Sequence, residues 1–395
     1  TLGGPWRQNR LSPNALTLDY AQFSKDGGRT WSVSEPVLAF SDRAAQSQPY
    51  NGPLLVRYPF RAEALPRNCS LVLEQPEMYA SIRVNGRELR FGQGEETPGK
   101  NTGTTSKKTP GDVSDGEPAG FYLDRAFRTA EITPLLKKGD NEIVLALDFR
   151  SAVPSSYDAD ERYGTEIESV YLTGDFAVRG KEVAPPLADS WRNRSPYLQR
   201  TAPVNRLTGF VLTDEPAQVE GDMTLQGYPF FAGSMTLEKE FDLERTDSAA
   251  RYFLTFPACE ATVIGINVNG TDLSPLFASP WEADVTPWLR PGSNKICLTL
   301  TNTLRNLLGP HHHKGGEFTE VRPVTFRAGE DVSNTMTGEP VGERDWYDAR
   351  LKGRAALWRD AYHIIPSGLL AAPEIRREGV PLSGRCVRER PGSGI

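Results

Sequence analysis

The sequence lacks the features that mark several large classes of protein. Its 395 residues contain no apolar run near the roughly 18 residues that a membrane span requires. Acidic and basic residues are mixed along the chain at a net charge of −6, without a basic face interleaved with aromatic residues. The four cysteines are scattered and form no C-x-x-C pair. These absences argue against a membrane partner, a nucleic-acid partner and a disulfide framework.

Patterns typical of α/β folds are absent as well. No stretch resembles repeated strand–helix–strand units, so the sequence predicts no (β/α) barrel. The 36 glycines and 31 prolines favour many turns over long helices, and hydrophobic residues at 38% suffice for real cores. The chain begins at Thr1 without a signal-peptide pattern. We therefore expect it to be a piece of a longer protein, and the compartment is unknown.

One thirteen-residue phrase occurs twice. Residues 131–143 are EITPLLKKGDNEI and residues 284–296 are DVTPWLRPGSNKI, so Thr, Pro, Leu, Gly, Asn and Ile recur in register. An Asn-Gly pair after an alternating strand precedes each copy, at Asn85 and at Asn269. Such a repeat indicates two copies of one supersecondary unit. Each unit contains strands joined by an Asn-Gly turn, a Pro-containing turn and a Gly-x-Asn turn, which is typical of a β-sandwich.

The patterns divide the chain into five parts. We expect an N-terminal β-hairpin segment over 1–50, a first sandwich over 51–180, a linker over 181–205, a second sandwich over 206–326, and a C-terminal segment over 327–395. The hairpin segment belongs to the first sandwich or continues an upstream domain, and the C-terminal segment packs on the second sandwich and ends in a loose tail. Within the hairpin, 15–23 is predicted as one strand and 37–40 as its return, while 6–10 fits no pattern. Residues 90–120 contain hardly any apolar side chain and are predicted to form a long surface loop.

The repeated order of strand, Val-Asn-Gly, acidic-aliphatic-Thr and Leu-x-x-Gly-x-Asn resembles the galactose-binding-like jelly roll, the sugar-binding domain of family 2 glycoside hydrolases. Further segments look like the C-terminal β-rich part of large bacterial glycosidase-like proteins, some resembling the family 106 rhamnosidases; these include 171–176, 226–233 and 362–369. The resemblance implies an all-β chain of two galactose-binding-like jelly-roll β-sandwiches in tandem. It also implies a carbohydrate partner and a parent protein whose catalytic carboxylates lie in a domain that this chain does not contain.

Three consecutive histidines, His311, His312 and His313, form the most unusual local pattern. Alternate side chains of an extended segment point apart, so His311 and His313 share a side, where an acidic residue such as Glu317 would complete the donor types of a metal site. The alternative is a loop whose imidazoles hydrogen-bond to the backbone or pack at a domain junction. We select the three histidines as candidate carbohydrate contacts, and we predict no metal ion and no cofactor.

Sugar-binding sites usually offer an aromatic face beside planar polar groups. Trp281 and Trp346, with Asp345 as a polar neighbour, are the candidates for such a face, although each Trp also fits a packing role. Cleavage of a glycosidic bond requires two carboxyl groups roughly 5–10 Å apart. Acidic clusters such as Glu166 with Glu168 stand in no motif that singles out a pair, so we interpret them as solvated loop charge and assign no catalytic residue.

The sequence therefore predicts a non-catalytic, carbohydrate-binding accessory region of a glycoside hydrolase-like protein, acting beside a catalytic domain of the same protein. Two alternatives stay open. The chain is a purely architectural β-sandwich module without a ligand, or it contributes to a composite active site with the absent catalytic domain. Carbohydrate binding requires a concave surface with an exposed Trp or Tyr, whereas a composite site requires the histidines at 311–313 to be exposed at a flank.

Overall fold

A computed structural model of the chain describes residues 1–46, 48–91, 120–153, 156–158, 164–183, 204–309, 311–312 and 360–379. Most of the predicted loop over 90–120, of the predicted linker and of the C-terminal segment lies outside these ranges. Most of the regular secondary structure in these residues is β-strand, with two short α-helices, α1 Val37–Gln46 and α2 Arg305–Leu308. Neither helix is long and apolar enough to cross a membrane, and no other helix in the described ranges is either.

Thirteen strands precede the predicted linker and ten follow it. The first group consists of β1 Trp6–Arg10, β2 Asn14–Leu18, β3 Tyr20–Ser24, β4 Glu35–Pro36, β5 Asn51–Ala62, β6 Cys69–Glu74, β7 Ser81–Val84, β8 Arg87–Leu89, β9 Phe121–Tyr122, β10 Asp124–Glu131, β11 Gly139–Arg150, β12 Val170–Gly174 and β13 Ala177–Glu182. The second group consists of β14 Asn205–Thr213, β15 Gln218–Val219, β16 Ser234–Leu243, β17 Ala250–Thr255, β18 Val263–Val268, β19 Thr271–Leu276, β20 Glu282–Asp284, β21 Gly292–Thr301, β22 Tyr362–Ile364 and β23 Glu374–Gly379.

These strands form two β-sandwiches, which confirms the all-β prediction. The first sandwich combines the five-stranded sheet β2-β12-β6-β10-β9 with the nine-stranded sheet β13-β14-β5-β11-β7-β8, to which β3, β4 and β22 are joined. The second combines the sheet β15-β1-β16-β21-β18-β19 with the sheet β20-β17-β23. Each pair of sheets encloses its own hydrophobic core, with Tyr58 and Phe149 in the first and Trp6 and Leu298 in the second.

The repeated phrase builds a hydrogen-bonded corner, which in the first sandwich centres on Asn141. The Asn141 side chain donates to the carbonyls of Lys137 (2.8 Å) and Gly139 (2.9 Å). Its Oδ1 accepts from the Lys137 backbone N–H (3.0 Å) and from Asn85 Nδ2 (2.8 Å). The side chain is only 3% exposed, so water does not readily replace these bonds.

The second sandwich contains the same corner around Asn294, which is 1% exposed. The Asn294 side chain donates to the carbonyls of Arg290 (2.7 Å) and Gly292 (2.9 Å). It accepts from the Arg290 backbone N–H (3.0 Å) and from Asn269 Nδ2 (2.9 Å). The Gly-x-Asn repeat therefore recurs in sequence because a single buried amide closes the turn and fastens it to the hairpin beside it.

The Asn-Gly pairs form the tight hairpin turns that the sequence predicts. Both central residues of each turn have positive φ: Asn85 at 50° with Gly86 at 78°, and Asn269 at 52° with Gly270 at 90°. Asn and Gly tolerate this left-handed backbone better than other residues, which is why they lead in two-residue hairpins. The two turns join β7 to β8 and β18 to β19.

One predicted strand and one further apolar segment are each divided by an aspartate. The predicted strand over 15–23 breaks at Asp19 into β2, which joins the five-stranded sheet, and β3, which joins the nine-stranded sheet. The apolar segment over 169–178 breaks at Asp175 into β12 and β13, which again lie in different sheets. Apolar alternation continues through both corners because the chain keeps facing the same core, so the pattern does not reveal the break.

The chain also passes between the two sandwiches more often than the predicted boundaries allow. Strand β1 lies in the second sandwich although its sequence neighbours β2 and β3 lie in the first. Strand β14 pairs with β13 and β5 in the first sandwich, whereas the predicted boundary at 206 places nearly all of it in the second. In the C-terminal segment, β22 pairs with β14 of the first sandwich and β23 with β17 of the second.

Helix α1 occupies the position predicted for a return strand. Only Glu35–Pro36 pairs with β3, and the helix begins directly after Pro36. Val37, Phe40 and Ala44 are buried against the first core at helical spacing. The short apolar run at 37–40 has no period of its own that separates a strand from a helix.

Candidate functional site

The two described histidines of the predicted cluster lie inside the first sandwich. His311 and His312 are each 4% exposed. His311 Nε2 is 2.9 Å from the carbonyl oxygen of Asn306 in α2, and His312 Nε2 is 3.0 Å from Asp19 Oδ2. Both imidazoles therefore form hydrogen bonds with buried polar groups of the same chain.

Asp19 is the centre of this buried cluster, which we name the Asp19 hub: Asp19, His311, His312 and Tyr362. The Tyr362 hydroxyl donates to Asp19 Oδ1, and His311 Nδ1 lies 3.9 Å from Asp19 Oδ2. The His312 and Tyr362 rings pack with their centroids 4.5 Å apart. The hub thus joins the β2–β3 corner, the segment after α2 and strand β22, which are remote in sequence.

The electrostatics of the hub follow from burial and from this one carboxylate. Burial lowers the pKa of His311 to about 3, so this imidazole is neutral at physiological pH. Burial alone would raise the pKa of Asp19, but the charge and hydrogen bond of His312 together with the Tyr362 hydroxyl hold it below its ordinary value. Burial and the adjacent Asp19 raise the pKa of Tyr362 well above 10.

The predicted sugar-contact residues do not come together in the described parts of the chain. His311 and His312 are buried, so they do not meet the exposure that a composite active site requires of them. Trp281 is half-buried and packs against the second core. His313, Asp345 and Trp346 lie outside the described residues. Within those residues, no group of three or more His, Cys, Asp or Glu side chains is arranged to hold a metal ion.

A polar cleft of about 580 Å³ opens where the two sandwiches meet, and we name it the junction cleft. Its walls come from both sandwiches: β1 and the segment after it on one side, and the loops before β6 and after β12 on the other. The lining residues are Gln8, Asn9, Arg10, Leu11, Ser12, Pro13, Asn68, Gly174, Asp175 and Glu215. The cleft therefore exists because β1 belongs to one sandwich and the strand after it to the other.

Arg10 is the most strongly fixed side chain in the cleft and is only 8% exposed. Its Nη2 donates to Glu215 Oε2 (2.9 Å) and to Asp175 Oδ1 (3.0 Å), its Nε donates to Glu215 Oε1, and its Nη1 donates to the Ser12 carbonyl (2.8 Å). Burial would lower the pKa of Arg10, but the two carboxylates together raise it above its ordinary value. One guanidinium thus orients two carboxylates at a fixed angle to each other.

The Asp175 carboxylate can accept a further hydrogen bond from a ligand. Its side chain is 49% exposed, and among the described residues only its Oδ1 accepts a side-chain hydrogen bond. The preceding Gly174 approaches Asn68 so closely that an added Cβ would lie 2.1 Å from the Asn68 carbonyl oxygen. This contact excludes every larger residue at 174 and fixes the position of Asp175 at the cleft.

Asn14, which directly follows the lining residue Pro13, is completely buried. Its Nδ2 donates to the carbonyls of Phe176 (2.7 Å) and Gly227 (2.8 Å), one from each side of the junction. Such a site is pre-formed, because its polar groups are already in place before any ligand arrives.

Sequence reasoning missed Arg10, Asp175 and Glu215. Arg10 lies in the stretch over 6–10 that fits no pattern, and its partners are 165 and 205 residues away. No local signal marks three residues that are brought together only when the chain crosses between the sandwiches.

The acidic residues Glu166 and Glu168, interpreted from the sequence as solvated loop charge, differ from each other in the structure. Glu166 is exposed as expected for loop charge, but Glu168 is half-buried directly before β12. Burial, with the neighbouring charges of Glu166 and Glu74, raises the pKa of Glu168 to about 7. A carboxyl that keeps its proton near neutral pH has one property of a general acid. It does not line the junction cleft, so it supports no catalytic assignment there.

We expect Glu168 to make the first sandwich less stable as pH rises. The folded-state pKa of about 7 lies above the ordinary value of 4.5. The unfolded chain therefore releases this proton between about pH 4.5 and 7 while the folded chain retains it, so the contribution to stability falls over this window. Glu168→Gln should raise the melting temperature at pH 8 and leave it nearly unchanged at pH 4. Scanning calorimetry across this range tests the effect, with the exposed Glu77→Gln as control; equal shifts for both variants would contradict it.

No protein-family model matches the chain, and no curated protein matches it in sequence. The solved structures to which it is similar include glycosidases. They include a rhamnosidase from Novosphingobium sp. PP1Y (13% identity, TM-score 0.25), a β-D-mannosidase from Dictyoglomus thermophilum (14%, 0.25) and a β-galacturonidase of glycoside hydrolase family 2 from Eisenbergiella tayi (11%, 0.24). The alignments cover 83%, 73% and 74% of this chain but only 23%, 31% and 37% of those structures. The chain therefore spans less than half the length of each of these structures.

Proposed function

We propose that this chain is a non-catalytic carbohydrate-binding accessory region and that the junction cleft is its binding site. The observation that carries the proposal is the buried Arg10, which holds Asp175 and Glu215 in place beside an open polar cleft. Sugars are recognised through hydroxyl groups, which donate to fixed carboxylates and accept from amide and guanidinium N–H groups. The volume of about 580 Å³ lies within the range typical of small-molecule sites.

The charge of the cleft favours a neutral sugar. One guanidinium faces two carboxylates, so the three side chains together carry about one negative charge. An acidic saccharide would be repelled by this excess, whereas the hydroxyls of a neutral sugar can donate to the unoccupied oxygen of Asp175. The exposed amide side chains of Asn9 and Asn68 lie on the same cleft and supply both donors and acceptors.

The cleft has no arrangement suited to bond cleavage. Most glycosidases need one carboxyl that gives a proton to the leaving group and a second that acts as nucleophile or base. Asp175 and Glu215 both accept hydrogen bonds from the same guanidinium, so both carboxylates already have a structural partner in the cleft. In this proposal the ligand is a carbohydrate, the partner is a catalytic domain of the same protein, and the chain itself supplies binding alone.

Asp175→Ala tests the site. Arg10 keeps its two bonds to Glu215 in this variant, so the fold should persist while the free acceptor disappears. We expect at least tenfold weaker binding of a neutral oligosaccharide, because a hydrogen bond to a charged group contributes about 1.5–3 kcal/mol. A glycan array followed by calorimetric titration of the best ligand measures the change.

The matched control is Asp140→Ala, which removes a carboxylate from an exposed ion pair with Arg61. Binding should be unaffected in this variant. Absence of binding to every neutral glycan on the array, or equal affinity of the wild type and Asp175→Ala, would refute the junction cleft as a sugar site.

A purely architectural role is the second candidate, and the Asp19 hub favours it. The hub fastens three remote segments of the chain to one another, as expected of a module that holds neighbouring parts of a larger protein in place. This role predicts no glycan binding at any concentration together with a strong dependence of folding on Asp19. The composite-site alternative is not favoured, because His311 and His312 lie within the fold.

A further inference from the structure

We propose that the pocket between α1 and the loop after β3 is a second ligand site, separate from the junction cleft, and that it takes an acidic sugar such as a hexuronic acid. We name it the helix pocket. It has a volume of about 270 Å³, which suits a single sugar unit better than a chain. Three features of its wall support this assignment: an aromatic floor, an exposed lysine and an arginine that has N–H donors to spare.

The floor of the helix pocket is apolar and firmly anchored. Phe23 and Phe40 stack with ring centroids 4.2 Å apart and an interplanar angle of 14°. Phe40 also meets the core residue Phe149 edge to face at 5.3 Å. Both rings line the pocket although they are only 4% and 5% exposed, so the floor does not need to rearrange when a ligand enters. The small exposed part of these rings can contact the C–H groups of a sugar.

Lys25 supplies a positive charge at the rim. Its side chain is exposed, and Nζ lies 4.4 Å from the Tyr50 ring centroid and 5.5 Å from that of Phe40. No described carboxylate forms an ion pair with it, so its three N–H donors remain available to a ligand. The two rings hold the ammonium group over the pocket without neutralising it.

Arg43 lines the opposite part of the pocket, and its hydrogen bonds to Glu35 use only some of its N–H donors. It makes two parallel hydrogen bonds to Glu35, one of them from Nη2 to Oε1 at 2.6 Å. A guanidinium has five N–H donors, so this fork leaves three of them unused by Glu35. The ion pair also fixes the orientation of the guanidinium, which lies 6.0 Å from the Phe40 centroid.

The charges of the wall favour an anion. Lys25 and Arg43 with Glu35 leave one net positive charge on the lining, in contrast to the negative junction cleft. Asp26 lies on the same loop but does not line the pocket, and its oxygens accept hydrogen bonds from Ser24 and Thr30. A ligand with a carboxylate for the cations and a sugar ring for the aromatic floor matches both properties of the wall.

The test compares three probes by calorimetric titration at constant ionic strength: sodium D-glucuronate, D-glucose and sodium acetate. We expect the wild-type chain to bind glucuronate at least tenfold more tightly than either of the others. Lys25→Met removes the exposed charge with little change in shape and should abolish this preference. Lys181→Met, which removes an exposed lysine on β13, is the matched control and should leave the preference intact.

Each other outcome contradicts the proposal. Equal binding of glucose and glucuronate would refute the role of charge, and equal binding of acetate would refute the role of the sugar ring. Unchanged glucuronate affinity in Lys25→Met would refute the helix pocket itself. Asp175→Ala should bind glucuronate as the wild type does, so failure of this proposal and failure of the junction cleft are distinguishable.

Discussion

Asn294→Ala should destabilise the second sandwich by about 3 kcal/mol, and Asn141→Ala should do the same to the first. Each substitution leaves buried backbone donors and acceptors of one turn without partners, and each unsatisfied group costs about 1–3 kcal/mol. The amide of the neighbouring hairpin, Asn269 or Asn85, loses one of its acceptors at the same time. Asn141 and Asn294 make their four hydrogen bonds from buried positions, which distinguishes them from the more exposed Asp284 of the same phrase.

Urea unfolding combined with hydrogen exchange by mass spectrometry measures both the size and the location of the effect. Exchange should accelerate first in β18 to β21 for Asn294→Ala and in β7 to β11 for Asn141→Ala. Asn267→Ala is the matched control, because Asn267 lies in the same hairpin as Asn269 but makes its hydrogen bonds at the surface, to Asp272 (2.7 Å) and from the Gly270 N–H (3.0 Å). A loss as large in the control as in Asn294→Ala would show that the corner has no special role.

The second large effect is expected for Asp19→Ala, at about 3 kcal/mol. This substitution deprives the Tyr362 hydroxyl and His312 of their shared acceptor inside the first sandwich. Removal of a buried acceptor is costly because its hydrogen-bond donors stay buried without a partner. The loss should be smaller than for a fully enclosed carboxylate, since the Asp19 side chain is 15% exposed.

The location of the change distinguishes this effect from general destabilisation. Strand β22 and the residues after α2 should exchange their amide hydrogens faster and become sensitive to protease before the rest of the sandwich. Tyr20→Phe is a suitable control, because its hydroxyl bonds to Asp360 at the surface (3.0 Å). If β22 remains as protected in Asp19→Ala as in the wild type, the hub does not hold the C-terminal segment in place.

The local parts of the fold could be predicted because their determinants lie close together in sequence. In β11, alternate residues from Asn141 to Phe149 are buried, and this period of two is visible in the sequence itself. The Asn-Gly and Gly-x-Asn turns are equally local, since their side chains bond to groups two to four residues away or to the adjoining hairpin. Duplication made the signal stronger, because chance does not repeat such spacing.

The candidate sites could not be predicted, because their residues meet only through the topology. Asp19 and His312 are separated by 293 residues, and Arg10 and Glu215 by 205. The three consecutive histidines are visible in the sequence as an unusual pattern. The buried positions of His311 and His312, however, depend on Asp19, which the sequence pattern does not distinguish from an ordinary strand residue. Helix α1 shows the same limit at short range, since four apolar residues fit a strand and a helix equally well.

The passage of the chain between the two sandwiches has a consequence for any attempt to dissect the protein. A fragment cut at 206 would lose β14 from the sheet it completes, and a fragment begun at 51 would lose β1 from the other. Each fragment would expose unpaired strand edges, which promote aggregation. Truncation mapping would then report misfolded material as inactive, so function in this protein is better located by point substitutions in the intact chain.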